Sequence, residues 1–208
     1  MAVKLPVQSA ERPARIQSDP RFSGSEDRDE IWEGVTVVSP LANLEHQIFV
    51  GELTGFLILL VNRSKLGFVV PGCNVSDRDE GWTENFRIPD IAVFLHGGVG
   101  ANRGAHLLGG PDFLIEVLSD DDRAPEKLPF YAANGVHEAL YIRRDPWVVE
   151  LYRNVEGILT LAETSTAETE AIVTCSVVPM AVRLIRDAEG SRPDIEISQI
   201  GGDLRTVF

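Results

Sequence analysis

An α/β domain built on a mixed β-sheet flanked by helices is what this sequence predicts, and three observations carry that prediction. A long stretch from Ser39 to about Asn62 spaces its apolar residues at helical intervals. Three short apolar runs follow, Gly67 to Ser76, Phe86 to Leu95 and Asp112 to Leu118, with the length and bounding residues of buried strands. A second helical stretch then gives way to further extended runs.

In chain order, Met1 to Asp29 mixes Pro, Ser, Gly, Arg and Asp without a sustained apolar period, the composition of a flexible arm. Ile31 to Val38, IWEGVTVV, places β-formers on both sides of Glu33 and Gly34, as a hairpin or a bulged strand does. Ser39 is the expected N-cap of the first helix, with Pro40 at its first position. Between the three core strands lie two loops, Asp77 to Asn85 and the Gly-rich Gly97 to Gly110. The second is not a phosphate-binding loop, because it lacks GK[ST] and a strand follows it instead of a helix. The second helix is expected over Pro125 to Asn134, closed by Gly135, with strands at Ala139 to Arg143, Trp147 to Arg153 and Ile158 to Ala162. The domain is expected to run over residues 30–186. Residues 187–208 read as a C-terminal extension with Ile195 and Ile197 in an edge strand.

The 208 residues, 44% of them hydrophobic, suffice for one core. A net charge of −13 argues against a protein that coats DNA electrostatically, but leaves room for a local charged cleft. The longest uninterrupted apolar run, Phe56 to Val61, is far shorter than the roughly 20 residues of a membrane helix, so no membrane partner is expected. The N-terminus has no apolar h-region, and a cytoplasmic location follows as the expectation. Cys73 and Cys175 lack any metal-ligand spacing and read as reduced, buried thiols.

Two carboxylates stand out. Asp90 follows Pro89 inside an otherwise apolar strand, and Glu116 is enclosed by FLI and VL. An unpaired buried carboxylate is costly, so each needs a cation, a hydrogen-bond network or a metal, unless it sits at a strand end and meets solvent. Together, with the Val117 backbone carbonyl beside them, they form an all-oxygen set suited to Mg²⁺ or Mn²⁺. Lys127 and Tyr131 share one face of the second helix, where the lysine can orient a water or take its proton; the alternative is a solvated lysine. On the first helix, Glu45 and Glu52 fall within the arc of Leu44, Ile48, Phe49, Phe56 and Leu60. Either that face meets a polar site, with Glu45 the preferred residue, or one carboxylate caps an element or pairs with an Arg. His46, at the rim of the arc, reads as a packing histidine.

The succession EIWEGVTVVSP, a helix carrying His46, IPDIAVF, GGPDFLIEVLSDDDR and KLPFYAANGVHEALYI resembles the Uma2 family of restriction-endonuclease-like proteins over roughly Glu30 to Leu161. The resemblance implies the PD-(D/E)XK nuclease superfamily and a restriction-endonuclease-like core. It makes Asp90 and Glu116 the metal carboxylates. The superfamily's usual lysine position is Leu118 here, and in Uma2-like proteins the lysine lies on the next helix, which is Lys127 in this chain. Other departures are Pro125 ahead of the lysine, the Asp120 to Asp122 cluster, and Glu138-Ala139-Leu140 where E-Y-W is usual. The implied activity is Mg²⁺-dependent hydrolysis of DNA by an endonuclease, with a homodimer by analogy with nucleases that cut both strands; at a net charge of −13, residues such as Arg87, Arg123, Arg143 and Arg144 would have to create a local positive rim. A nuclease fold retained as a binding or assembly module is the alternative, and it suits the acidity better. A glycosidase using Asp90 and Glu116 as an acid and base pair lacks an aromatic sugar platform.

Overall fold

The computed structural model describes residues 29–38, 43–118, 123–187 and 192–208. The expected arm up to residue 28, the Ser39-Pro40 helix start and the Asp120 to Asp122 cluster lie outside the described residues. The chain forms β1 (Glu30–Trp32), β2 (Val35–Val37), α1 (Leu44–Leu57), β3 (Gly67–Pro71), β4 (Val75–Ser76), β5 (Phe86–Arg87), β6 (Ile91–Leu95), β7 (Ala101–Asn102), β8 (Leu107–Leu108) and β9 (Phe113–Leu118). It continues with α2 (Leu128–Ala133), β10 (Glu138–Arg144), β11 (Trp147–Val155), β12 (Ile158–Thr166), β13 (Val173–Thr174), β14 (Met180–Ile185), β15 (Asp194–Gln199) and β16 (Arg205–Val207).

The central sheet has the order β12-β11-β10-β9-β6-β3 and is mixed: β9 and β10 run parallel, the other neighbours antiparallel. Its two faces separate the side chains by alternation. Ile91, Val93, Phe113, Ile115 and Val117 enter a core closed by α1 and by the C-terminal strands. Leu114 and Leu118 point the other way, into a smaller cluster with Tyr131 and Ala132 of α2. Glu116 shares the face of Leu114 and Leu118, which places it under α2.

A second sheet of short strands, β2-β1-β5-β4-β8-β7, extends beside the central one. Its first two strands form the hairpin expected around Glu33 and Gly34, whose φ values of 47° and 79° are those a two-residue turn of the right twist requires. Helix α1 is capped by Asn43, whose side chain accepts from His46 N–H at 2.8 Å, and it continues as a π-turn over Ile58–Asn62. The continuous Leu44–Asn62 segment is long and apolar enough by length and composition to cross a membrane, with 44% of it buried inside the fold; a core helix passes the same test. Helix α2 is entered through a 3-10 turn, Ala124–Lys127, and left through Gly135 at φ 85°.

The face of α1 differs from the expected arc. Its buried residues are His46, Phe49, Val50, Leu53, Phe56 and Leu57, whereas Leu44 and Ile48 are 76% and 56% exposed. The helix is apolar around most of its circumference, so spacing alone does not select the inward stripe. The chain beyond residue 187 also differs from the expected extension. β15 lies inside the sheet β13-β14-β15-β16, and Ile195 and Ile197 are fully buried in the main core.

Candidate active site

Strand β6 begins one residue after Asp90, and its last ladder pair with β9 is Ile91 opposite Ile115. One further antiparallel step sets Asp90 across from Glu116. The Asp90 side chain replaces the ladder there: its Oδ2 accepts from Val117 N–H at 2.9 Å, and its Oδ1 lies 3.0 Å from His46 Nε2 on α1. Val117 thus meets the site through its N–H. Burial opposes ionisation of Asp90, but the hydrogen bond and charge of His46, the Val117 N–H and the charge of Lys127 outweigh it and hold the carboxyl below its ordinary range.

Glu116 is the centre of the cluster. Its Oε1 accepts from Lys127 Nζ at 3.0 Å and from the Tyr131 hydroxyl at 2.7 Å. These donors come from the 3-10 turn and from α2, one helical turn apart, which is why they converge on one oxygen. Burial, reinforced by the neighbouring charges of Asp90 and Glu30, pushes the Glu116 carboxyl up to about 8 despite the pull of Lys127 and Tyr131. Lys127 has the opposite balance. Burial disfavours its charge, but Glu116 and Glu30 on either side raise it above its ordinary value, so it stays an ammonium ion. The Tyr131 hydroxyl, buried beside Glu116, is raised well above 10 and remains a donor.

Glu30, which sequence reasoning left at the domain boundary, completes the group. Its Oε1 lies 2.8 Å from Lys127 Nζ and accepts from Ile88 N–H at 2.8 Å, while Oε2 accepts from the Trp32 indole N–H at 2.6 Å. Lys127 is therefore clamped between Glu30 from β1 and Glu116 from β9. The sequence signal for Glu30 is faint: an acidic residue opening a β-former run, EIW, that the fold buries to 1% exposure. His46 also belongs here, at 7% exposure, and its packing role is inseparable from its bond to Asp90.

Glu45 and Glu52 both lie on the outer side of α1. Glu45 pairs with Arg192 at 2.8 Å and Arg144 at 3.4 Å, the arginine-pairing alternative of the sequence reading. The four arginines expected to form a basic rim have their own partners. Arg87 is sandwiched by Trp32 and Phe130, with ring distances of 4.5 and 4.2 Å, and donates to Ile31 O, Asn85 Oδ1 and Phe86 O. Arg123 pairs with Glu126, Arg143 with Glu150, and Arg144 with Glu45 and the Leu118 carbonyl. Among the described residues no group of three or more His, Cys, Asp or Glu side chains forms a preset metal cage.

The mixed sheet flanked by helices, with Asp90 just ahead of β6 facing Glu116 within β9 and Lys127 held against the glutamate, is an α/β fold of the restriction-endonuclease-like kind. The chain belongs to the Uma2 family, whose model, described as "Putative restriction endonuclease", matches residues 16–184. Among solved structures it is similar to a "putative nuclease belonging to DUF820" from Anabaena variabilis ATCC 29413, with a TM-score of 0.58 and 18% identity over 77% of this chain and 88% of that one. No curated protein matches the sequence.

Proposed function

We propose that this protein is a nuclease that hydrolyses DNA phosphodiester bonds with Mg²⁺ or Mn²⁺ at Asp90 and Glu116. The observation that carries this reading is the juxtaposition of those carboxylates across one ladder with the Lys127 ammonium 3.0 Å from Glu116. Family membership supports the same reading.

The donor set suits the ion. Mg²⁺ keeps several waters and takes one or two carboxylates in place of a full protein cage. Lys127 and Tyr131 both bond Oε1 of Glu116, which leaves Oε2 clear of their hydrogen bonds. Asp90 and Glu116 would hold the ion, and when bound it would supply charge against the phosphate and acidify a water. Lys127, kept protonated between two acids, contributes charge and a donor directed at a water or a phosphate oxygen; it does not serve as the base. Glu30 holds its ammonium in place. His46 holds Asp90.

A second reading, a nuclease fold serving as a binding module, is favoured by two observations: the net charge of −13 and the internal pairing of all four candidate rim arginines. A supercoiled-plasmid assay with Mg²⁺ and Mn²⁺ separates them. Nicked or linear product that needs the ion supports the nuclease. Intact plasmid with either ion supports the binding module.

A further inference from the structure

Beside the hydrolytic site, between edge strand β3 and the β7 to β8 turn, lies a cavity of about 290 Å³ lined by Phe68, Val70, Cys73, Asn74, Asn102 and His106, among others. The two are linked through the backbone. Gly72, another lining residue, donates its N–H to the Asp90 carbonyl at 3.1 Å. Phe68 and Val70 stand opposite Phe94 and Ala92, two and one alternations from Asp90 on the neighbouring strand.

The lining has a definite chemistry. Phe68 is 38% exposed, and Phe94 stacks against it at 5.1 Å and 12°, so the ring is fixed in orientation. Asn74 spends its NH₂ on the Ala105 carbonyl and retains a carbonyl acceptor. Asn102 spends its carbonyl on Gly104 N–H and retains an NH₂ donor. His106 is 5% exposed and stacked on Trp82 at 4.9 Å, and neither ring nitrogen has a hydrogen-bond partner, although Nε2 lies 3.5 Å from Asp79. Burial pushes the Cys73 thiol up to about 12, so it is a neutral wall and not a nucleophile. No Asp, Glu, Lys or Arg lines the cavity. That favours a neutral occupant over a phosphate or carboxylate. A flat, neutral group with both donors and acceptors on its edge matches, and the volume, at the lower end of ordinary ligand cavities, is ample for a base.

Resting on the nuclease reading above, we propose that this cavity receives one nucleobase of the DNA strand, laid on Phe68 and read at its edge by Asn74 and Asn102, next to the phosphate held at Asp90 and Glu116. Stacking on an aromatic ring is a general means of holding an unstacked base. Because extruding a base is least costly where it is already unpaired, single-stranded DNA is the expected preferred substrate.

The test uses the metal-free full chain, the four deoxynucleoside 5′-monophosphates and 2-deoxyribose 5-phosphate in saturation-transfer NMR. Base protons should receive the strongest saturation, deoxyribose phosphate should not bind, and Phe68→Leu and the surface change Asn102→Ala should each weaken binding about tenfold. Saturation centred on the sugar, or affinity unchanged in both variants, overturns the proposal. A parallel experiment sequences the ends produced from random single-stranded DNA. A base bias beside the cut that Asn102→Ala removes supports the pocket. Base binding without cleavage would sink the nuclease reading and keep the pocket; cleavage with neither base bias nor base binding would do the reverse.

Discussion

Lys127 reaches Glu116 across the join between the 3-10 turn and strand β9, its Nζ 3.0 Å from Oε1, and Glu30 meets the same ammonium at 2.8 Å from the other side. A lysine with two buried acid neighbours stays charged, while the acid at the centre takes up a proton. The electrostatic behaviour of the site follows from that asymmetry.

Stability should fall as pH rises through the range set by Glu116. Its carboxyl is raised from 4.5 to about 8 in the folded state, so the folded state binds the proton more tightly than the unfolded chain. The contribution is complete below 4.5 and lost by the time pH passes 8. Thermal melting of the metal-free protein from pH 5 to 9 should show this decline, and Glu116→Gln should flatten it. A wild-type profile as flat as the variant's would remove the assignment.

His46→Ala should destabilise the fold by about 1–3 kcal/mol, because it strips a partner from a carboxylate that is 8% exposed. Urea denaturation with an unchanged m-value is the check. His46→Asn, able to donate from a shorter side chain, should recover part of the loss.

Glu45→Gln should cost under about 1 kcal/mol and leave cleavage unchanged, since the Glu45 pairs with Arg192 and Arg144 are solvent-exposed. Loss of cleavage in this variant would restore Glu45 to the site.

Glu30→Gln should slow single-turnover cleavage by roughly tenfold or more while leaving Mn²⁺ affinity within about twofold, because Glu30 acts on the ammonium and not on the ion. A large drop in Mn²⁺ affinity would make it a third metal carboxylate instead.

Asp90 and Glu116 were legible in the sequence because an acid inside an apolar strand run is costly and therefore conspicuous. Lys127 and Tyr131 were legible as a helical pair, and the family resemblance drew them to the same site. Glu30 was not: its place depends on β1 lying against the Lys127 turn, a contact made across most of the domain with no local pattern. The second sheet was equally hidden, since strands of two or three residues such as β4, β7 and β8 are too short to show a period. On α1 the helix itself could be read. Its inward stripe could not, because Leu44 and Ile48 are as apolar as the buried Phe49 and Leu53 and only packing separates them.

The most direct test of the account is the single-turnover rate of Mn²⁺-dependent cleavage of single-stranded DNA by the wild type, Asp90→Asn and Glu116→Gln, with folding of each checked by thermal melting. Cleavage by the wild type is expected, with a loss of at least roughly a thousandfold in both folded variants, because each removes a metal carboxylate. Undiminished cleavage by either folded variant, or a wild type that neither cleaves nor binds Mn²⁺, would contradict it.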